Sequence, residues 1–438
     1  MNKPYCVVSC PIDCYSGYSA RSRDFYKALY ELKGKEWEIQ VIPQRWGNTP
    51  WGYIEDNNEE WGWVVPTMNK SGQLHKQPDV WIQITVPNEF QPIGKYNIGV
   101  TAGIETTLCD PSWLEGCNRM DLTLVSSNHS KQVMQNSKFD QHDQQTRAFV
   151  QKIELKKPID VLFEGFDPVK YFYKSDEDIE SSDLVDELDN ISEDFCFLFV
   201  GHWLPGDMGE DRKNVGLTIK TFLETFKDKK FKNKPALILK ASTGVPGILD
   251  RDEMINRIDR IMSEVHGKDL PNIYVLNGDV KDEDMNDLYN HSKVKAMLSF
   301  TKGEGFGRPL LEFTQARKPI AASYWSGHTD FLDSEFVYPV IGGLKNIHPS
   351  AVMQNMLIPE SAWFTPNNSS MVHAMSSIYN NYDVFKEKAK RQAWKCSNEF
   401  SFNNMKDLLS KYLDRVPKQV QIQLPKFATL PKLKKIEK

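Results

Sequence analysis

The chain has 438 residues, 40% of them hydrophobic and 26% charged, with a formal net charge of −5. That length suits about two to three domains with sizeable cores, and the composition excludes a chain disordered throughout. The mildly acidic balance argues against a protein that coats nucleic acid by global charge, though it leaves room for a local basic groove.

In chain order, residues 5–9 read as a first buried strand, and a loop carrying Gly17 leads into a helix over 21–32. Phe25, Leu29 and Leu32 share one face of that helix. A strand over 37–42 precedes 46–63, which is rich in Trp, Gly and Asn and reads as a long irregular excursion. Strands follow at 79–86, 96–101 and 122–126, then a helix start at 127–134, and 161–167 closes the first half. The run 176–194 is dense in Asp and Glu, as expected of a solvated linker or surface helix. The second half begins at Phe195. Strands at 196–200, 236–240, 273–276 and 294–300 alternate with helices at 213–226, 255–265 and 283–291. Such alternation predicts α/β domains with parallel sheets. The expected organisation is a first domain over 1–175, an acidic linker over 176–194 and a second domain over 195–383. Helices over 384–415 and a basic tail over 416–438 complete it.

No apolar run approaches the roughly 18 residues that span a bilayer. The N-terminus enters a strand directly, which predicts no signal peptide and a cytoplasmic protein. Seven cysteines form no disulfide framework and suit a reducing compartment. Cys6, Cys10 and Cys14 lack a usual zinc spacing and read as small apolar residues, so no metal site is expected.

The most informative segment is Gly303-Glu304-Gly305-Phe306-Gly307-Arg308-Pro309-Leu310-Leu311-Glu312. It follows a strand and opens a helix. Pro309 suits a first helical position, where its missing N–H costs nothing. Glycines allow a tight turn and close ligand approach, and a helix N-terminus favours an anion. Two carboxylates, Glu304 and Glu312, then flank a site for a phosphate-bearing ligand. The bland alternative is an ordinary strand-turn-helix with two solvated glutamates.

This segment resembles the E-x7-E motif of retaining glycosyltransferases with the GT-B fold, most like family 4. The resemblance covers residues 7–413 and implies two Rossmann-like domains facing a cleft, with a C-terminal helix crossing back to the first. It implies that Glu304 contacts the donor sugar and Glu312 the nucleotide ribose, with diphosphate over Gly305, Phe306, Gly307, Arg308, Pro309 and Leu310. Lys213, within Arg212-Lys213-Asn214-Val215, matches the family's diphosphate-binding lysine. Val280, within Asn277-Gly278-Asp279-Val280, matches the loop that holds the base. Glu105 is expected near the acceptor, and His129, after Ser127-Asn128 at a helix start, reads as a core or capping histidine or else as an acceptor contact. One departure stands out. The family carries Arg after the glycine matching Gly201, and this chain has His202, so Arg212 or Arg308 would supply the charge, or His202 would do so weakly.

The chemistry implied is transfer from a nucleoside-diphosphate sugar, UDP by default, with no tightly bound cofactor and no metal. Glu304 and Lys213 are the expected catalytic pair, with Glu304 orienting the sugar. Charge developing on the departing diphosphate would be stabilised by Lys213 and the helix start near Gly307. The run Asp282-Glu283-Asp284 reads as helix capping rather than metal binding. Gly17 is expected near the donor phosphate, and Lys240, at a strand end, is a candidate phosphate contact. Arg21 and Arg23 are placed in the first turn of their helix, facing an anionic acceptor or solvent. The tail over 417–438 could touch phosphate, touch a membrane or be a disordered tail. The chain also resembles, less specifically, glycosyltransferases of tailed phages, some of which modify hydroxymethylated pyrimidines in DNA. A DNA base is the best single acceptor guess, because an aromatic-rich first half suits a flipped base. A glycan or lipid-linked acceptor is the alternative. From other classes, a nucleotide-sugar epimerase and a non-catalytic nucleotide-sugar-binding protein remain. Nothing in the sequence marks an oligomeric state.

Overall fold

The computed structural model describes residues 3–228 and 233–417, so most of the basic tail lies outside the described residues. The first half builds a six-stranded sheet from β1 (Tyr5–Cys10), β2 (Glu38–Pro43), β3 (Val80–Ile84), β4 (Tyr96–Thr101), β5 (Leu122–Val125) and, after a hairpin of β6 (Lys138–His142) and β7 (Phe149–Glu154), β8 (Ile159–Val161). The order is β2-β1-β3-β4-β5-β8 and every pairing is parallel. β1 is buried along its whole length, as a strand covered on both faces must be. Its helices are α1 (Gly17–Lys33), α2 (Tyr53–Asp56), α3 (Asn58–Trp61), α4 (Pro111–Arg119) and α5 (Asn128–Asn136).

After α6 (Asp183–Asp189), the second half builds another six-stranded parallel sheet, with a different strand order. It uses β9 (Cys196–His202), β10 (Ala236–Ser242), β11 (Ile273–Leu276), β12 (Val294–Ser299), β13 (Ile320–Ser323) and β14 (Tyr338–Val340). The order β11-β10-β9-β12-β13-β14, again parallel, is that of a dinucleotide-binding sheet. Its helices are α7 (Val215–Phe226), α8 (Ile248–Glu264), α9 (Asp282–Asn290) and α10 (Arg308–Thr314). A small hairpin of β15 (Gly342–Asn346) and β16 (Ala362–Pro366) precedes α11 (Asn368–Asn380), α12 (Tyr382–Glu399) and α13 (Phe402–Leu413). Phe402, Met405, Leu409 and Leu413 of α13 join the core of the first half. Tyr412 donates to the Val161 carbonyl at 2.7 Å. The chain therefore crosses back, and the architecture is GT-B.

Several expectations need correction. The helix expected over 21–32 starts at Gly17, because the Ser16 hydroxyl accepts from the Ser19 amide at 3.1 Å. Arg21 and Arg23 are consequently not in its first turn, and both are buried rather than solvated. Arg21 donates to the Leu162 and Phe163 carbonyls, and Arg23 to those of Ile12 and Cys14. The excursion over 46–63 contains α2 and α3, and 3-10 helix follows over Gly62–Thr67. It is anchored by the Asp13 carboxylate, which accepts from the Ile54 amide at 2.8 Å. The closing strand is only Ile159–Val161; from there the chain runs to Phe166, which bridges to Ser401. α8 starts at Ile248 rather than 255, and α7 at Val215 rather than 213. α4 and the β6–β7 hairpin were not anticipated.

Candidate functional site

The carboxyl ends of both sheets face a cavity of about 740 Å³ between the halves. Open parallel sheets place ligands there. From the first half come the loop after β1, the start of α1 and the 48–61 excursion; from the second, the ends of β9 and β10, the loop before α9 and the start of α10. Gly17 is the first residue of α1 and lines the cavity, and a Cβ built on it would meet nothing within 4 Å. The N-terminus of a 17-residue helix thus opens onto empty space.

Lys240, His202, Val280, Arg308, Pro309 and Glu312 also line this cavity. Lys240 bonds the Gly278 carbonyl at 2.7 Å, with no ion pair to a carboxylate among the described residues. Burial lowers its pKa, and Asp279 opposes this. His202 bonds Ser242 at 2.9 Å. His202 is an exposed residue on the cleft wall. Desolvation against the cleft wall, with Lys213, Lys240 and Arg212 nearby, holds its pKa below the usual value. A neutral imidazole is no substitute for a guanidinium, so His202 does not supply the missing charge.

Arg308 does not stand free either. Its guanidinium bridges Asp24 of α1 at 2.5 Å and Glu312 at 2.8 Å. Burial pushes Glu312 up to about 7 against the pull of Arg308, with Asp282 and Asp24 adding to the rise.

Glu304 lies outside this lining. It is 7% exposed, with Lys213 Nζ 2.5 Å from Oε1 and Arg212 Nη1 3.4 Å from Oε2. Burial alone would raise its pKa, but the two cations outweigh burial and hold it at about 2. Arg212 also lies 3.4 Å from Glu105. These four side chains form a compact cluster whose formal charges cancel, so neither Lys213 nor Arg212 is an uncommitted cation.

The glycines of the motif have different tasks from those expected. A Cβ on Gly303 would come within 2.2 Å of the Glu105 carbonyl oxygen, and one on Gly305 within 2.3 Å of that of Ala102. They admit the backbone of the first half, not a ligand. Only Gly307 needs left-handed backbone, at φ 97°, and so turns the chain into α10. Phe306 and Leu310 are core residues, 3% exposed each. α10 has seven residues; Pro309 has no N–H, and the Leu310 and Leu311 amides already bond the Gly307 carbonyl. Few amides remain there for an anion.

Glu105 and His129 do not line the cavity. Glu105 pairs across the halves with Arg212, and the His129 ring meets Trp325 edge-on at 4.7 Å. Burial lowers the His129 pKa to about 4, which keeps it neutral. The Asp282-Glu283-Asp284 run makes no side-chain cap. Asp282 instead accepts from Lys170 at 2.6 Å and the Tyr171 hydroxyl at 3.1 Å. The seven cysteines are all buried free thiols.

Residues not singled out from the sequence complete the cavity: Asp24, Asn48, Tyr53, Asp56, Lys170 and Lys281. The length of the 46–63 excursion was the available signal, since long ordered loops at strand ends often carry binding residues.

No family model matches the chain, and no curated protein matches it in sequence. Solved structures match in fold. A glycosyltransferase from Rickettsia africae superposes with TM-score 0.61 at 13% identity, covering 95% of this chain and 100% of that one. HepE from Anabaena in complex with UDP-glucose gives 0.61 at 14%, covering 94% and 99%. Sucrose-phosphate synthase from Thermosynechococcus elongatus gives 0.59 at 12%, covering 95% and 99%. At these identities the likeness is one of fold, and that fold is GT-B along nearly the whole chain. No helix among the described residues is long and apolar enough to cross a membrane.

Proposed function

We propose that the protein is a glycosyltransferase that moves a sugar from a nucleoside-diphosphate sugar, by default a UDP-sugar, to a hydroxyl acceptor with retention of configuration. The observation that carries this is the inter-sheet cavity of about 740 Å³, into which the start of α1, Lys240 and Glu312 all open. The likeness to HepE in complex with UDP-glucose supports the donor class. The base would sit by Val280, the ribose hydroxyls on Glu312, and the diphosphate between Gly17 and the amine of Lys240. Lys281 adds a second cation lining the cavity.

Transfer breaks the bond from the anomeric carbon to the phosphate oxygen and makes one to the acceptor oxygen. The acceptor proton leaves on the departing diphosphate, so no protein base is required. Lys240 and the α1 N-terminus stabilise the developing charge. Lys213 and Arg212 keep Glu304 ionised, and Glu304 orients the sugar; sugar entry would loosen this cluster. No step calls on a metal or a cofactor.

Two acceptor readings stand. One is a hydroxymethylated pyrimidine in DNA, whose aromatic argument is weakened because the first-half rings pack on one another. Trp46 stacks on Tyr18 and Trp63 packs on Tyr26, Tyr30 and Trp61. A neutral glycan hydroxyl suits the first-half wall, where Asp24, Glu60 and Asp167 are already paired with Arg308, Lys170 and Lys27, and Arg23 is bonded to backbone carbonyls, so that its cations are committed rather than free for a phosphodiester. The test is to incubate the protein with UDP-sugars, measure UDP release, and assign the product anomer by NMR. Neutral oligosaccharides and an oligonucleotide bearing 5-hydroxymethylcytosine are the acceptor arms. Release with the oligosaccharide alone selects the glycan. An oligonucleotide that gains no mass with any donor eliminates DNA, and an inverted product anomer eliminates retention.

A further inference from the structure

A second cavity, of about 670 Å³, lies where the chain passes between the halves, and it meets the donor cavity only at Tyr171. Its walls come from 166–173, the end of α10, α12 and the start of α13. On α12, Trp394 is 71% exposed, an unusual setting for the largest apolar side chain. Facing the same space is Tyr173, 46% exposed, with the Arg317 guanidinium laid over its ring at 4.5 Å. Arg317 makes no ion pair among the described residues. It holds left-handed backbone just past α10, at φ 56°, a place where glycine is the usual residue. Lys390 adds a second cation, paired only on the surface with Glu387. Asn398 and Asn403 add amides. No carboxylate lines the cavity among the described residues.

We infer that this cavity binds a nucleotide unit, an aromatic ring carrying phosphate, separately from the donor site. Two flat surfaces, the indole of Trp394 and the Arg317–Tyr173 pair, suit a base that is planar on both faces. Arg317, which no carboxylate pairs among the described residues, suits its phosphate, with Lys390, shared with Glu387 on the surface, as a second cation, and the amides suit the polar edge of the base. A lipid surface would be met by a convex apolar face, not by an amide-lined hollow. The ligand is either a free nucleotide or one residue of a single strand, and this site does not depend on the donor reading.

The test uses the full chain, with Trp394→Ala, Arg317→Gly and, for the donor cavity, Lys240→Ala. Thermal melting checks that each folds; Arg317→Gly relieves rather than adds backbone strain. Calorimetric titration with uridine monophosphate counts sites, and anisotropy of a labelled oligo-deoxythymidine reads strand binding. The expected result is binding that weakens about ten-fold or more in Trp394→Ala and Arg317→Gly and persists in Lys240→Ala. Monophosphate binding alone assigns a free nucleotide, and tighter oligonucleotide binding that falls with salt assigns a strand. The inference is overturned if every bound nucleotide is lost in Lys240→Ala, or if neither probe distinguishes Trp394→Ala from wild type. It is equally overturned if anionic vesicles bind through Trp394 while neither nucleotide probe does.

Discussion

Glu304 shows how a buried carboxylate is kept ionised by its neighbours rather than by water. Its folded pKa of about 2 lies below the ordinary 4.5, so its contribution to stability is complete above 4.5 and lost as pH falls toward 2. Glu304→Gln leaves Lys213 and Arg212 buried beside a neutral amide. Loss of one partner from a buried pair costs roughly 3–5 kcal/mol. The variant should therefore melt well below wild type at pH 7, and the gap should narrow in acid; an unchanged gap from pH 7 to pH 3 would contradict the ion cluster. Glu312 behaves in the opposite sense. A ribose hydroxyl donates best to the carboxylate, so nucleotide affinity should rise with pH through about 7. The groups around it are Arg308, Asp24, Asp282 and the hydroxyls of Tyr171 and Tyr289. Titration calorimetry from pH 6 to pH 8 should give this slope in wild type and none in Glu312→Gln.

At the scale of elements, two glycines separate folding from binding. Gly17 faces open space, so Gly17→Val should change stability by no more than about 0.5 kcal/mol while weakening nucleotide binding. Gly305 abuts the Ala102 carbonyl of the other half, so Gly305→Ala should lower the melting temperature and part the halves there. Equal effects of the two substitutions on melting would refute this division. Much of the element order was legible, because parallel strands such as β9 and β10 open with continuous buried apolar runs, Cys196–Phe199 and Ala236–Leu239. The start of α1 was missed because its cap, Ser16, sits among other small polar residues that carry no periodicity. α2 and α3 are four residues each, too short to show a helical period, and they are held by Asp13 rather than by propensity. In the site, the types Gly17, Lys240 and Glu312 could be placed from spacing beside strand ends. The inward-facing packing of Phe306, Leu310, Glu105 and His129 could not, because it depends on how the two halves meet.

The whole molecule is held by contacts across the cleft. Arg308 joins Asp24 to Glu312, Arg212 joins Glu105 to Glu304, and Lys170 joins Glu60 to Asp282. On another side the β15–β16 segment bonds the first half, through the Ala362 carbonyl to the Thr107 amide at 2.8 Å and the Asn355 carbonyl to Trp113 at 2.8 Å. Asp24→Asn breaks the Arg308 bridge between the two walls of the cavity while leaving the second-half side chains themselves unchanged. It should enlarge the radius of gyration in small-angle scattering and weaken nucleotide binding through Glu312, whereas an unchanged scattering curve with normal affinity would show that the bridge does not set closure. The central claim is that the cavity between the sheets is a nucleotide-sugar site, and a thermal-shift screen of nucleoside diphosphates and their sugars tests it most directly. A ligand that binds only the folded state raises the melting temperature by mass action. One nucleotide should raise it in wild type and much less in Glu312→Ala and Lys240→Ala. If none raises it, or if the shift is the same in all three proteins, the cavity is not a donor site and the transferase reading falls.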